Sequence, residues 1–263
     1  AGAVRDHVLG FDAVSGRGEI FKAGGRVVKN VTGYDLPKLM TGSWGTLAVL
    51  HEVTLKVLPR PESEMTLVVQ GLTAEQAARA MSAAMGSAAE VSGAAHVVEK
   101  RETHLRIEGI TPSLFARRVM LETVLKPFGK LTVLPESVSR AQWIAIRDAA
   151  VLNALPHEAI WRVSVAPMDG HRMLDAVKGA RGFMDWAGGL VWLAVPDRGD
   201  AGATDIHAAV KVLGGHAMLI RASQSIRDSV DCLTPEPAPL AALNLRVKHA
   251  FDPGNILNPG RMR

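Results

Sequence analysis

Apolar and polar residues alternate from Glu52 through Val57, with Val53, Leu55 and Val57 set against Glu52, Thr54 and Lys56. This period of two predicts a β-strand within residues 46–58 with one face buried. Pro59 and Pro61 end it and mark a boundary. A second strand is predicted over residues 3–9. Beyond the boundary the pattern changes. Residues 65–70 are strand-like, and the alanine-rich residues 73–85, opened by Thr73 and Glu75, predict a capped helix. A strand over 103–108, a helix over 113–128 stopped by Gly129, and a strand over 130–134 follow. The order then repeats: strand 159–165, helix 169–180, strand 190–195, helix 204–213 stopped by Gly214 and Gly215, and strand 217–221. Each half reads strand–helix–strand–helix–strand, which predicts two split βαβ units forming a mixed or antiparallel sheet covered by helices. Pro235, Pro237 and Pro239 predict a stiff linker. A short helix over 240–251 and a series of turns from Asp252 to Gly260 come after it. The expected organisation is therefore 1–61, 62–235 and 236–263.

Composition narrows the functional classes. The 263 residues are 48% hydrophobic and 21% charged, which excludes a disordered or fibrous chain. The single cysteine, Cys232, supplies neither a disulfide framework nor the ligands of an iron–sulfur cluster. A net charge of +4 with only 5% aromatics argues against nucleic acid as a partner. The longest apolar stretch, near residues 188–195, falls well short of the roughly 20 residues that a membrane span needs.

The chemistry concentrates near the N-terminus, where nine glycines lie within the first sixty residues. Gly33, Gly42 and Gly45 would let backbone approach a ligand closely. The N–H groups of Gly42, Ser43, Gly45 and Thr46 are candidates for an anion nest. Asp35 caps a predicted helical turn over 36–40, and Lys29 and Lys38 add positive charge. These features suggest a phosphate-bearing ligand held by backbone, with ordinary strand-linking turns as the alternative. The spacing is neither a Walker loop nor G-x-G-x-x-G, so ATP and a Rossmann cofactor are disfavoured.

Five runs together carry a family resemblance: Val4 to Gly10, Lys29 to Asp35, Gly42 to Leu47, Lys56 to Pro61, and Phe251-Asp252-Pro253-Gly254-Asn255-Ile256-Leu257-Asn258-Pro259-Gly260-Arg261-Met262. They resemble the FAD-binding subunits of bacterial glycolate oxidase, within the vanillyl-alcohol-oxidase type of flavoproteins. The resemblance implies an α+β fold: part of a PCMH-type FAD-binding domain, plus a cap domain of ferredoxin-like repeats with a mixed or antiparallel sheet. It implies FAD contacts from Asn30, Gly33, Tyr34, Asp35, Gly42, Ser43, Gly45 and Thr46, with Asn258 near the flavin ring. Ala48 and Trp44 depart from the family pattern, which has glycine and a smaller or polar residue there. The Pro-Gly-Gly-type loop that grips the pyrophosphate from the other side in this family does not occur in residues 1–263. The expectation is that this chain alone binds FAD weakly or not at all and is inactive alone. The implied partners are a sister flavoprotein subunit, an iron–sulfur subunit and a small 2-hydroxy acid. The implied setting is the cytoplasm, with any membrane association made through partner subunits.

No catalytic base is legible in the sequence. Arg162 and Arg221, on predicted strands, are candidates for a substrate carboxylate, because a guanidinium fork binds carboxylates in bidentate fashion. Ion-paired surface arginines are the plainer alternative. The histidines lack metal-ligand spacing. Two functions stay open: a redox subunit moving a hydride from a 2-hydroxy acid to flavin, and a non-catalytic assembly subunit whose sister flavoprotein does the chemistry.

Overall fold

The computed structural model describes residues 2–28 and 33–261, and the chain divides into two units, residues 1–60 with 235–263 and residues 61–234. The first unit opens with a helical turn, α1 (Val4–His7), followed by β1 (Val8–Ser15), β2 (Ile20–Gly24), α2 (Leu36–Met40) and β3 (Ala48–Leu55). The strand expected over 3–9 thus begins only at Val8. Asp6 accepts the Ala3 N–H at 3.2 Å, which stabilises a turn of helix before it. The strands form an antiparallel sheet in the order β2-β1-β3. Phe11, Ala13, Met40, Leu47 and Ala48 form its core, with Phe21 packed edge-on to Phe11 at 5.6 Å. Gly24 is required where β1 and β2 begin to pair: its φ is +72°, and a Cβ there would lie 2.1 Å from the Leu9 carbonyl. β3 lies at the sheet edge, and Val49, Val53 and Leu55 are 56%, 43% and 54% exposed. The buried face that its alternation predicted is therefore not covered within this unit.

The second unit contains β4 (Ser63–Gln70), α3 (Ala74–Met85), β5 (Gly93–Val97), β6 (Glu102–Gly109), α4 (Thr111–Leu125), β7 (Leu131–Leu134) and α5 (Glu136–Arg147). It continues with β8 (Glu158–Ser164), α6 (Gly170–Ala176), β9 (Arg181–Asp185), β10 (Leu190–Pro196), α7 (Ala203–Leu213), β11 (His216–Arg221) and α8 (Gln224–Ser229). The eight strands form one sheet in the order β11-β8-β10-β9-β5-β6-β4-β7, antiparallel at every pairing. Each half is β-α-β-β-α-β with strand order 4-1-3-2, the ferredoxin-like arrangement. The halves join where β5 meets β9, at His96↔Met184 and Val97↔Phe183.

In this unit, β5 and β9, one in each half at the same place, are the strands that periodicity did not reveal, as β2 is in the first unit. Both are five residues long and carry glycine, so their alternation is faint. α3 starts as expected from a capping box: Thr73 Oγ1 accepts from Gln76 N at 3.2 Å, and Gln76 Oε1 accepts from Thr73 N at 3.0 Å. The helix expected over 169–180 ends at Ala176, because Val177 turns extended. One sheet face packs on α3, α4, α6 and α7 through Leu67, Leu105, Ile107, Trp161, Met184 and Leu193, all fully buried. Each such side chain contributes about 2–3 kcal/mol of burial. On the other face, Trp143 and Ile146 of α5 cover Ala95 and Phe183.

The chain then returns to the first unit in α9 (Ala238–Phe251). This helix begins inside the proline-rich stretch expected to be a linker. Pro239 is accommodated because the first helical turn needs no intrahelical donor.

Candidate functional site

In the first unit, α2 is a single turn whose N-cap is Asp35. Its carboxylate accepts from Lys38 N at 3.4 Å and Lys38 Nζ at 2.6 Å. The Lys38 hydrogen bond is the main cause holding the Asp35 carboxyl below its ordinary pKa. This corrects the expectation that the turn aims its N-terminus, with Lys38, at a ligand anion: the protein's own carboxylate occupies that terminus and takes up the lysine.

The loop after α2 is different. Ser43 N donates to Met40 O and Thr46 N to Ser43 O, while Thr46 Oγ1 donates to Ser43 O at 2.6 Å. Two of the four N–H groups expected in an anion nest are therefore spent in closing the turn. Among the described residues, the N–H groups of Gly42, Trp44 and Gly45 have no protein acceptor. Gly42, Trp44 and Gly45 are left-handed, with φ values of +89°, +54° and +68°, on either side of Ser43.

The C-terminal turns hold this loop. Asn258 Nδ2 donates to Trp44 O at 2.8 Å, and a Cβ on Gly45 would come within 2.9 Å of that nitrogen. The Arg261 guanidinium stacks on the Trp44 ring at 5.1 Å. Beneath, Lys248 Nζ on the last turns of α9 donates to Thr46 O, Leu257 O and the Asp252 carboxylate. Asp252 also accepts from Ile256 N and Leu257 N. Burial would raise the Asp252 pKa, but the Lys248 and backbone hydrogen bonds outweigh it and hold the carboxyl below its ordinary value. Lys248 and Asp252 thus fix both the loop and Asn258. The four-residue Lys248–Asp252 spacing was visible in the sequence, but the tail had been read only as turns. A cleft of about 360 Å³ opens beside this cluster, lined by Ser43, Gly45, Val49, Leu50, Ile256 and Asn258.

The structure therefore brings Gly42, Ser43, Gly45 and Thr46 together with Asn258. Gly33 has open space around it, Tyr34 is 92% exposed, and Asp35 is engaged with Lys38. Asn30 and Lys29 lie outside the described residues.

In the second unit, Arg221 donates to the carbonyls of Leu155 (2.7 Å) and Glu158 (3.2 Å), so its fork fastens the 155–158 loop. Arg162 on β8 is placed differently. Among the described residues it has no carboxylate within ion-pairing distance, and its guanidinium lies 5.1 Å above the Trp186 ring. Burial lowers the Arg162 pKa. His216 on β11, diagonal to it, is held below its ordinary pKa by partial desolvation of its ring and then by the Arg162 charge, although its side chain stays open to solvent. Sequence patterning had singled out neither His216 nor Trp186. Among the described residues no cluster of side chains has metal-ligand character, and no helix is long and apolar enough to cross a membrane.

No family model matches the chain. It is similar to glycolate oxidase subunit GlcE of Escherichia coli (strain K12), 32% identical over 263 residues, which covers all of this chain and 67% of that protein. It is similar to glycolate oxidase subunit GlcD of Bacillus subtilis (strain 168), 27% identical, covering 99% of this chain and 64% of that one. Among solved structures, p-cresol methylhydroxylase with substrate bound matches 97% of this chain and 64% of that chain, at a TM-score of 0.68 and 13% identity. Alkyldihydroxyacetonephosphate synthase matches 98% of this chain and 55% of that chain, at 0.61 and 13%. At such identities the structural likeness bears on the fold alone, and it agrees with the α+β fold of the flavoprotein type. The chain spans about two thirds of the length of the curated relatives it matches. Since GlcE is similar to the whole of this chain, the chain belongs to the glycolate oxidase subunit family of FAD-linked oxidoreductases.

Proposed function

We propose that this chain is the FAD-binding part of a glycolate oxidase subunit, with loop 42–46 and Asn258 as its cofactor contacts. The observation that carries this is the set of N–H groups at Gly42, Trp44 and Gly45 without a protein acceptor among the described residues, in a loop tied to Asn258 and backed by the Lys248–Asp252 pair. These neutral donors suit a diphosphate, which backbone N–H groups bind without a dedicated cation. Glycine at 42 and 45 keeps the approach open. The exposed Arg261 on Trp44 offers a positive charge at the rim. The Asn258 amide is oriented by its bond to Trp44 O, which leaves its Oδ1 as a further acceptor.

The chemistry FAD supplies when bound is acceptance of the hydride that a 2-hydroxy acid gives up at C2. This chain's residues contribute binding and orientation: the loop for the diphosphate, and Arg162 in the second unit for the substrate carboxylate. Electrons would pass on through a sister flavoprotein subunit and an iron–sulfur partner. The proposed setting is cytoplasmic, with membrane association through partners.

The test uses the gene product isolated at its natural length. Visible flavin bands and glycolate-dependent dye reduction by that protein alone are the expected results. Flavin without turnover would support the assembly-subunit alternative. Lack of flavin after incubation with excess FAD would overturn the assignment.

A further inference from the structure

On β8, residues Ile160, Arg162 and Ser164 share the sheet face that Trp143 covers farther along, since Ala159, Trp161 and Val163 point into the opposite core. The registers Trp192↔Arg162↔Met218 and Leu190↔Ser164↔His216 place Arg162, Ser164, Trp192 and His216 on that one face. Toward β11 this face is open: Arg162, Ser164 and Met218 are half-buried, and His216 is exposed. His216 lies opposite Ser164 and hence diagonal to Arg162, within about 8 Å.

The turn after β9 presents an indole to the same place. Trp186, Ala187 and Gly188 have φ values of +51°, +57° and +101°, two of them on residues that carry a Cβ. Such conformations cost energy and persist only when the surroundings fix them. Here the fixing is visible. Trp186 N donates to Asp185 Oδ1 at 2.7 Å, and Gly188 lies so close to Pro167 that a Cβ would meet its carbonyl at 2.2 Å. The result is a tryptophan 57% exposed, held under a guanidinium that lacks a carboxylate partner among the described residues. Core packing does not account for a strained turn that holds a large aromatic in solvent. A platform beneath a cation awaiting an anion does.

We propose that Arg162, His216 and Trp186 form a binding site for a small 2-hydroxy carboxylate, with the Arg162 fork on the carboxylate and the His216 imidazole on the adjacent hydroxyl. Trp186 fixes the guanidinium from below, and Ser164 stands opposite His216 on the same face. A neutral imidazole can accept the hydroxyl proton in a hydrogen bond, and the lowered His216 pKa keeps it neutral near pH 7. The charged groups facing His216 are Arg162 across the strand pair and Asp185 farther along the same row of the sheet. The inference rests on the 2-hydroxy acid assignment made above, and it deepens that assignment by adding the group that reads the hydroxyl.

The natural-length protein is titrated with glycolate and with acetate, following the tryptophan emission that is lost in Trp186→Phe. Calorimetry serves as an independent readout. Native protein should bind glycolate more tightly than acetate. Arg162→Gln should weaken both by about tenfold or more. His216→Phe should erase the preference for glycolate while leaving acetate binding in place, and His216→Gln should restore part of it. The His216 ring titration, followed by NMR, should move up in Arg162→Gln, and up in native protein on adding glycolate. Equal affinity for the two acids in native protein, or unchanged affinity in a folded Arg162→Gln, would overturn the proposal. Flavin content is measured on the same samples. A protein that takes up no flavin yet discriminates glycolate through Arg162 would defeat the cofactor assignment and leave this site standing. The reverse result would defeat only this site.

Discussion

Lys248 and Asp252 show how one pair of residues turns a string of turn-forming residues into a built loop. Asp252 is 1% exposed, and its carboxylate answers three donors, one of which, Lys248, reaches across to Thr46 O at 2.7 Å. Removing the ammonium strands a buried carboxylate, which costs more than losing a surface ion pair. Lys248→Met should therefore lower the thermal midpoint by several degrees, and adding Asp252→Asn should recover part of the loss. An unchanged midpoint for Lys248→Met would show that the pair holds nothing. Two buried histidines set a pH limit in the same way. Burial drives His96 to about 4, with a smaller contribution from His104, and burial drives His104 to about 4 against the attraction of Glu102. Both are neutral when folded, and the unfolded chain takes up their protons near 6.5. Their stability contribution is complete above 6.5 and is lost as pH falls toward 4. Between pH 7 and 5 the unfolding free energy should drop by about 2 kcal/mol or more for the pair together. A flat urea-unfolding profile across that range would contradict their burial.

At the scale of elements, the strong periodicities were legible and the muted ones were not. α3 was evident from its alanine run and its cap, and β4, β6, β8 and β10 from their apolar patterns. α5 escaped because what it buries is partly polar. Ser139 Oγ donates to Glu64 Oε1 at 2.6 Å and meets Thr66 Oγ1 at 2.7 Å, and Trp143 Nε1 donates to Thr66 Oγ1 at 2.8 Å. Sequence patterning reads serine and glutamate as solvent-facing, so it misses a helix docked through a satisfied polar chain. Ser139→Ala leaves the buried Glu64 short of a donor and should cost about 1–2 kcal/mol in chemical unfolding. Trp143→Phe should lose less, since the ring's burial is retained. If both variants matched the native protein, the network would not be what docks α5.

For the whole molecule, the ferredoxin-like halves were expected from element order, although one strand in each had gone unseen. The loop proposed to hold the cofactor was singled out by its glycines and its resemblance to glycolate oxidase subunits. Its geometry was not legible, because which N–H groups remain available depends on turns that close on themselves and on a tail 200 residues away in sequence. Position 45 carries the central claim most directly. Its glycine is left-handed, and a side chain there would press on Asn258 Nδ2 and strain the loop that carries the N–H groups proposed to bind FAD. The decisive measurement is FAD affinity, by flavin fluorescence titration, of the natural-length gene product and its Gly45→Val variant, with thermal melts run on both. The account predicts binding by the native protein and a loss of about tenfold or more in the folded variant. Equal FAD affinity in a folded Gly45→Val protein would contradict it.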